Sequence, residues 1–419
     1  MLFSYSIILL SLFLVLFFIT KNGFCVRSIS AAFIFVTHFI GYPILHLRYM
    51  MDNSYPSINE LKLNEGIILS FYGLLVFLIV ATLFKVKVRT NAFNIDNRLK
   101  ANIYCYVYWS LFISSILFYI LTNGISFHTD GNYGNRLEDN AGNGILLINM
   151  AAFIPAVAIG IMNTNNRKEV ITSLLFMLFS GLLFFVVIGG SRNVLAGALV
   201  VNIYICFRKG YIGKKTIAFS GLVLMMLMNV LVLFRYNVSF TDVNIKQVLV
   251  IFISYLVDSI SPIYYQAITV DLLFNSSSNI VQGWDIFLNQ FLALVPRFFW
   301  IDKPIVMMNS SYFFTQYILG MNGNLNMAAT LLSSSILILG KMYIVIYAIS
   351  AIFVSFIDHL LQRKSVPVIV LAAMAMPFCF FMARESLELY MFMVLKYAIM
   401  IFIGAFISNL IYFLVPKKC

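Results

Sequence analysis

Four arginines of the sequence lie in turns between long apolar segments, where a positive charge could bind an anion. They are Arg136 in "YGNRLEDNAGNG", Arg192 in "GGSRN", Arg297 in "LVPRFFWIDKP" and Arg384 in "ARES". A guanidinium group matches two phosphate oxygens with parallel hydrogen bonds. If three or more of these arginines converge on one cavity, they would suit a ligand with several phosphate oxygens.

The turn that contains Arg192 has the features of an anion site at a helix start. Glycines before Arg192 let the backbone turn closely, and Asn193 is the predicted N-cap of the next helix. Free N–H groups and the helix macrodipole would favour an anion there. The alternative is an interfacial arginine whose side chain reaches lipid phosphates.

Prolines on both sides of Arg297 predict a rigid turn over 294–304. This turn would present Arg297, with Asp302 and Lys303 behind it. The alternative is an interfacial anchor, a position that is typical of tryptophans such as Trp300.

Arg384 and Glu385 are predicted in a tight turn between two apolar segments, with Glu388 one helical turn into the second segment. Ionisable groups at the edge of an apolar region are costly and therefore typical of functional sites. A structural pair between Arg384 and Glu388, four residues apart on one helix, is the alternative.

The loop around Arg136 adds two adjacent carboxylates, Glu138 and Asp139. In a loop rich in Gly and Asn such a cluster could bind sugar hydroxyls, and one carboxylate, Glu138 rather than Asp139, could act as general base. The alternative is an ordinary hydrated loop.

Other polar residues give weaker indications of a functional site. Arg235 is a further arginine on the same predicted side, and Asp258 and Asp271 are carboxylates within an apolar stretch that could instead face water. The four histidines and five cysteines are scattered singly, without the spacing of a metal site or a disulfide framework. We therefore expect neither a metal nor another cofactor.

The segments that hold these turns have the composition of membrane helices. Hydrophobic residues make up 62% of the 419 residues and charged residues 11%. Uncharged apolar runs of about 18 residues or more predict membrane-spanning helices. In a membrane protein the placement of the net charge of +12 matters more than its sum, so it does not indicate nucleic acid as a partner.

The chain is predicted to be an all-α polytopic membrane protein with eleven spans, or thirteen if the long stretch 235–341 hides two more crossings. The predicted spans are 2–20, 28–47, 64–84, 101–121, 144–162, 170–188, 193–207, 216–234, 342–360, 366–383 and 388–415. Most of the 28 Lys and Arg residues fall in connectors on one side. The positive-inside rule makes that side cytoplasmic, with the N-terminus outside and the C-terminus inside.

This topology divides the chain into three regions. Residues 1–234 hold the first eight spans, with external loops at 48–63, 122–143 and 189–192. Residues 235–341 form a large external loop, too apolar to be free, with interfacial or re-entrant helices. Residues 342–419 hold the last three spans.

The motifs together resemble the Wzy-type O-antigen polymerases, which assemble oligosaccharide repeat units, including their enterobacterial common antigen branch. The resemblance rests on "GGSRN", "LVPRFFWIDKP", "AATLLSSSILILGKMY" at 328–343, "ARES" and "YGNRLEDNAGNG", and covers about 130–390. One departure is "TLLSSSIL", where members of the family often have an acidic residue.

This resemblance implies an inner-membrane enzyme with a bundle similar to the lipid-linked sugar ligases (GT-C-like) and an active site facing the periplasm. It would transfer glycan from an undecaprenyl-pyrophosphate carrier onto a lipid-linked repeat unit, with a flippase and a chain-length regulator as partners. Arg192, Arg297 and Arg384 would contact the pyrophosphate, with Glu138 as the other catalytic candidate on the acceptor side. The candidate substrate-binding residues are Arg136, Asp139, Arg235, Trp300, Asp302, Lys303 and Glu385.

Two other functions compete with the polymerase. An O-antigen ligase would share the fold and the external arginines. A flippase or transporter of the same lipid-linked sugars would show repeated halves and charges at mid-membrane depth, whereas these charges cluster at the external edge.

Overall fold

The described part of the chain is helical throughout. The structure is a computed structural model that describes residues 2–51, 60–84, 98–124, 143–188, 192–213, 215–217, 219, 221, 249–250, 252–254, 256–275, 280–304, 306–321 and 327–414. Within these ranges there is no β-strand. The prediction of an all-α polytopic membrane protein is confirmed.

Eight of the described helices are long and apolar enough to cross a membrane. They are Leu2–Asn22, Val26–Met50, Glu60–Leu83, Arg98–Asn123, Gly144–Asn163, Arg167–Val187, Val366–Arg384 and Leu387–Leu414. The shorter apolar helices Asn193–Arg208 and Ile344–Leu360 coincide with two more predicted spans. Most of the predicted span 216–234 lies outside the described residues, so the total of eleven stays a prediction.

The chain forms two compact units. The first comprises Met1–Val88, Ser239–His359 and Phe378–Phe392. Its helices are α1 (Leu2–Asn22), α2 (Val26–Phe39), α3 (Gly41–Met51), α4 (Glu60–Leu83), α10 (Ile263–Asn275), α11 (Trp284–Leu292), α12 (Ser310–Phe313), α13 (Thr330–Leu339) and α14 (Ile344–Leu360), with the adjoining ends of α15 (Val366–Arg384) and α16 (Leu387–Leu414).

Helices α2 and α3 together form one predicted span that is interrupted at Ile40. The Ser261 hydroxyl fills the break, because it accepts a hydrogen bond from Gly41 N (2.8 Å) and donates one to Thr37 O (2.8 Å). A Cβ at Gly41 would lie 2.5 Å from Ser261 O, so only glycine permits this approach. The interruption therefore depends on a contact between distant parts of the sequence.

Helix α13 forms the centre of the first unit and is buried from Thr330 to Ile338. It packs against α2, α4, α10, α11 and α12. Its serines Ser334 and Ser335 donate to Leu331 O within the same helix, which satisfies their hydroxyls without water. Part of the predicted external region 235–341 is thus the core of this unit, whereas its interfacial or re-entrant position stays a prediction.

A buried ion pair joins α2 to α14. Arg27 Nε lies 2.8 Å from Asp358 Oδ2, and both side chains are almost fully buried. Asp358 also accepts from the backbone N–H groups of Val26 and Arg27, at the start of α2. Arg27 Nη1 donates to Ala81 O and Phe84 O at the end of α4. One pair of side chains therefore holds the ends of three helices together.

The second unit comprises Arg89–Val238, Leu360–Pro377 and Met393–Cys419. Its helices are α5 (Arg98–Asn123), α6 (Gly144–Asn149), α7 (Phe153–Asn163), α8 (Arg167–Val187) and α9 (Arg192–Arg208), with the remaining parts of α15 and α16. Lys209 donates to the carbonyls of Ile161, Met162 and Thr164 at the end of α7. A cation is favourable at that position because unpaired carbonyls and the helix macrodipole make it negative.

Candidate functional site

The turn between α15 and α16 is short and fixed by its own hydrogen bonds. Glu385 N and Ser386 N both donate to Phe381 O (2.8 and 3.1 Å), and these two hydrogen bonds close the end of α15. Ser386 Oγ then accepts from Leu389 N (3.3 Å), as an N-cap residue does. The turn therefore holds Arg384, Glu385 and Glu388 in a small volume at the ends of two candidate spans.

Arg384 pairs with the residue next to it. Its Nη1 lies 3.0 Å from Glu385 Oε1, and the two side chains are 22% and 18% exposed. No ion pair joins Arg384 to Glu388 among the described residues. The alternative of a structural pair between these two residues is therefore not found there. Burial raises the pKa of Glu385, and the positive charge of Arg384 opposes this shift.

Glu388 is fully buried in the first turn of α16. Ser310, which begins α12, and Ser386 lie beside its carboxylate. Asn309 precedes Ser310 and caps α12, because its Oδ1 accepts from Tyr312 N (2.8 Å). Its Nδ2 donates to Gln290 Oε1 of α11 (2.6 Å). A line of buried polar side chains therefore leads from α11 to Glu388.

The proline-framed turn after α11 is closed by hydrogen bonds from the side chains of Lys303 and Arg297. Lys303 Nζ donates to Ala293 O and Val295 O (2.8 Å each), next to the end of α11. Arg297 Nη2 donates to Pro304 O (3.3 Å) across the turn. Burial, and then the nearby charge of Arg297, lower the pKa of Lys303.

The tip of this turn is exposed and aromatic. Phe298 and Phe299 are 87% and 76% exposed and contact each other edge to face. Asp302 is exposed, whereas Trp300 is half-buried. Exposed aromatic rings fit the interfacial anchor, and the hydrogen-bonded frame of Arg297 fits a presenting turn, so both interpretations of this segment stay open.

The Arg297 turn and the turn between α15 and α16 both lie in the first unit, and side-chain contacts link them within it. Helix α11 leads into the Arg297 turn, and its Gln290 contacts Asn309, beside Ser310 and Glu388. No hydrogen bond or ion pair joins Arg297 to Arg384 in the described part of the chain. Their convergence on one ligand therefore stays a prediction.

Arg192 belongs to the second unit, where it is the first residue of α9. The helix thus begins one residue before Asn193, which was the predicted cap and lies inside the first turn. The side chain of Arg192 lies outside the described residues, as do Ser191 and the two glycines before it.

Several other candidates fall outside the described residues or have another contact. Arg136, Glu138, Asp139 and Arg235 lie outside the described ranges, as does the side chain of Asp258. Asp271 forms an ion pair with Lys62 of α4. Across the described residues, His, Cys, Asp and Glu side chains form no group of three that could hold a metal ion.

Comparison with known protein families gives a match over nearly the whole chain. A family model described as "WzyE protein, O-antigen assembly polymerase" matches residues 2–418. The chain belongs to the WzyE family of O-antigen assembly polymerases. No solved structure matches the chain.

Membership of the WzyE family confirms the resemblance drawn from the motifs and extends it beyond 130–390 to both ends of the chain. The charged turn between α15 and α16 is therefore part of a polymerase. Sequence reasoning gave no role to Ser310, Asn309 and Gln290, which the structure brings to Glu388. Only the cap-forming Asn309 before "SSYF" gave a local signal.

Proposed function

We propose that this member of the WzyE family is a periplasm-facing polymerase of the bacterial inner membrane. It transfers glycan from an undecaprenyl-pyrophosphate carrier onto a lipid-linked oligosaccharide repeat unit. The observation that carries this proposal is the half-buried Arg384–Glu385 pair in the turn between two candidate spans. A charged pair at the end of apolar helices is costly and typical of a site that binds a polar ligand at the membrane surface.

The reaction needs charge stabilisation on the leaving group. When the bond between the anomeric carbon and the pyrophosphate oxygen breaks, negative charge develops on the pyrophosphate of the carrier. Guanidinium groups that are held in place before the reaction stabilise this charge without reorganisation. Arg384 is held by Glu385, and Arg297 is held by its turn, so both have this preorganisation.

The remaining candidates take roles that the family resemblance suggests. Arg192 contributes to pyrophosphate binding, and Glu138 acts at the acceptor side. The other proposed substrate contacts are Arg136, Asp139, Arg235, Trp300, Asp302, Lys303 and Glu385. A flippase that supplies repeat units and a regulator of chain length are proposed partners, on the same ground.

Complementation tests the proposal. A strain that lacks its own polymerase and makes the matching repeat unit would express the wild type, Arg192→Ala, Arg297→Ala or Arg384→Ala. The control is Arg363→Ala, because Arg363 is exposed in the connector between α14 and α15. We expect a ladder of polymer for the wild type and the control, and single-unit product for the three variants at equal membrane level.

Other outcomes would assign a different function. Accumulation of undecaprenyl-linked polymer in a strain that lacks the chain, with none on the mature lipid, would indicate a ligase. Loss of repeat units from the periplasmic face would indicate a flippase. Normal ladders in all three arginine variants would show that these arginines are interfacial anchors, and the proposed site would be wrong.

A further inference from the structure

The carboxylate of Glu388 has an unusual environment for a charged group. The residue is 0% exposed, and neither oxygen accepts a well-formed hydrogen bond from any described residue. Ser310 and Ser386 lie beside it but do not satisfy it. Buried carboxylates are otherwise paired or fully hydrogen-bonded, since desolvating their charge is costly.

Two neighbouring groups also lack partners in the described part of the chain. Ser310 Oγ is fully buried without a hydrogen bond, and so is Arg384 Nε. An unsatisfied buried polar group is costly, and native proteins contain few of them. Glu388 and Ser310 lie together although their segments are far apart in sequence, and Arg384 is at the end of the helix that leads into the same turn. Unsatisfied groups on both segments indicate a site whose partner is a ligand.

The surrounding structure fixes these groups in position. Ser386 caps α16 and so sets the orientation of its first turn, which carries Glu388. The hydrogen bond between Asn309 and Gln290 fixes the residue before Ser310. The N-terminal end of the 28-residue helix α16 also favours a negative charge on Glu388. The carboxylate is therefore held in a fixed position, without a well-formed hydrogen bond from the described residues.

We propose that Glu388 is the general base of the polymerase and that Ser310 binds the same acceptor sugar. This inference rests on the proposed function. The oxygen of the acceptor hydroxyl forms a bond to the anomeric carbon of the donor glycan. The bond from that carbon to the pyrophosphate oxygen breaks, and its electron pair leaves with the carrier. The proton of the hydroxyl passes to the Glu388 carboxylate, which later releases it to water.

The test uses the full-length chain in membranes supplied with lipid-linked repeat units from the matching strain. The variants are Glu388→Gln, which keeps the shape, and Glu388→Asp, which keeps the acid. The control is Asp285→Asn, because Asp285 is an exposed carboxylate of the same unit. We expect the rate of polymer formation to fall at least about 100-fold for Glu388→Gln, in the range measured for general bases. Glu388→Asp should retain part of the rate, and Asp285→Asn all of it.

Two further measurements separate a catalytic role from a structural one. The thermal midpoint of Glu388→Gln should equal or exceed that of the wild type, because the change removes an unsatisfied buried charge. The rate of polymer formation by the wild type should decline at acid pH. The lower rate that remains in Glu388→Gln should not show this decline.

The results that overturn the inference are distinct from those that overturn the function. Three results for Glu388→Gln would each show that Glu388 is not the base: a lower thermal midpoint, an unchanged decline of the rate at acid pH, or a rate within threefold of the wild type. A ladder of polymer from the wild type would still leave the polymerase function intact. Absence of polymer from the wild type would overturn both. A large loss in Glu138→Gln together with a normal rate in Glu388→Gln would assign the base to Glu138.

Discussion

Arg384 has more donors than Glu385 can occupy, so at the proposed site we expect that an ammonium group cannot replace its guanidinium group. Nη1 donates to Glu385, which leaves the other edge of the planar group for a ligand. Lysine would keep the charge but could not contact a carboxylate and a phosphate at once. We expect Arg384→Lys to lower polymer formation about tenfold or more, measured as the rate in membranes, with the exposed Arg363→Lys as control. Full activity of Arg384→Lys would show that charge alone is sufficient.

Glu385 gives a prediction on pH and stability. Burial raises its pKa in the folded chain above the usual value of a glutamate. Between those two pKa values the folded state binds more protons than the unfolded state, so stability falls as pH rises through that window. Replacement by glutamine removes this group. The advantage in thermal midpoint of Glu385→Gln over the wild type should therefore grow as pH rises above the usual pKa of a glutamate. A shift in the opposite direction would mean that attraction to Arg384 exceeds the cost of burial.

Among the helix contacts, the ion pair between Arg27 and Asp358 should matter most for stability. Asparagine in place of Asp358 keeps the shape but leaves Arg27 buried without its countercharge. Loss of one partner of a buried pair typically costs about 3–5 kcal/mol. Asp358→Asn should therefore lower the thermal midpoint in detergent far more than the exposed Asp285→Asn does. Equal midpoints would show that the carbonyls of α4 compensate Arg27 by themselves.

The Arg297 turn is held by hydrogen bonds from Lys303. Lys303→Met keeps the apolar stem but removes both hydrogen bonds to the carbonyls of Ala293 and Val295. The loss of hydrogen bonds to a charged group costs about 1.5–3 kcal/mol where the group is buried, and less for a part-buried one. We expect faster amide hydrogen exchange over 293–304 and no change for Lys364→Met, an exposed control. Unchanged exchange would show that the two prolines alone hold the turn.

The helices were predictable from the sequence, but the contacts of the site were not. Long apolar runs set the positions of α1, α4, α5, α8 and α16 to within a few residues, because the length of a span is set by the membrane. The break at Ile40 was not predictable, since the hydroxyl of Ser261 fills it from a distant segment. Ser310 gave no sequence signal for the same reason: only tertiary packing brings it beside Glu388.

The orientation of the whole chain can be tested through its termini. The predicted eleven spans would place the termini on opposite sides, and the positive-inside rule predicts a cytoplasmic C-terminus. A green fluorescent protein fused after residue 419 should therefore fluoresce, and alkaline phosphatase fused there should be inactive. A short epitope inserted into the loop 122–143 should be accessible in spheroplasts. Since α16 crosses once, a cytoplasmic C-terminus makes the turn at Glu385 external, where the pyrophosphate of a carrier facing the periplasm would lie. Active phosphatase at the C-terminus would instead put this turn in the cytoplasm, and a periplasm-facing reaction at Arg384 would be excluded.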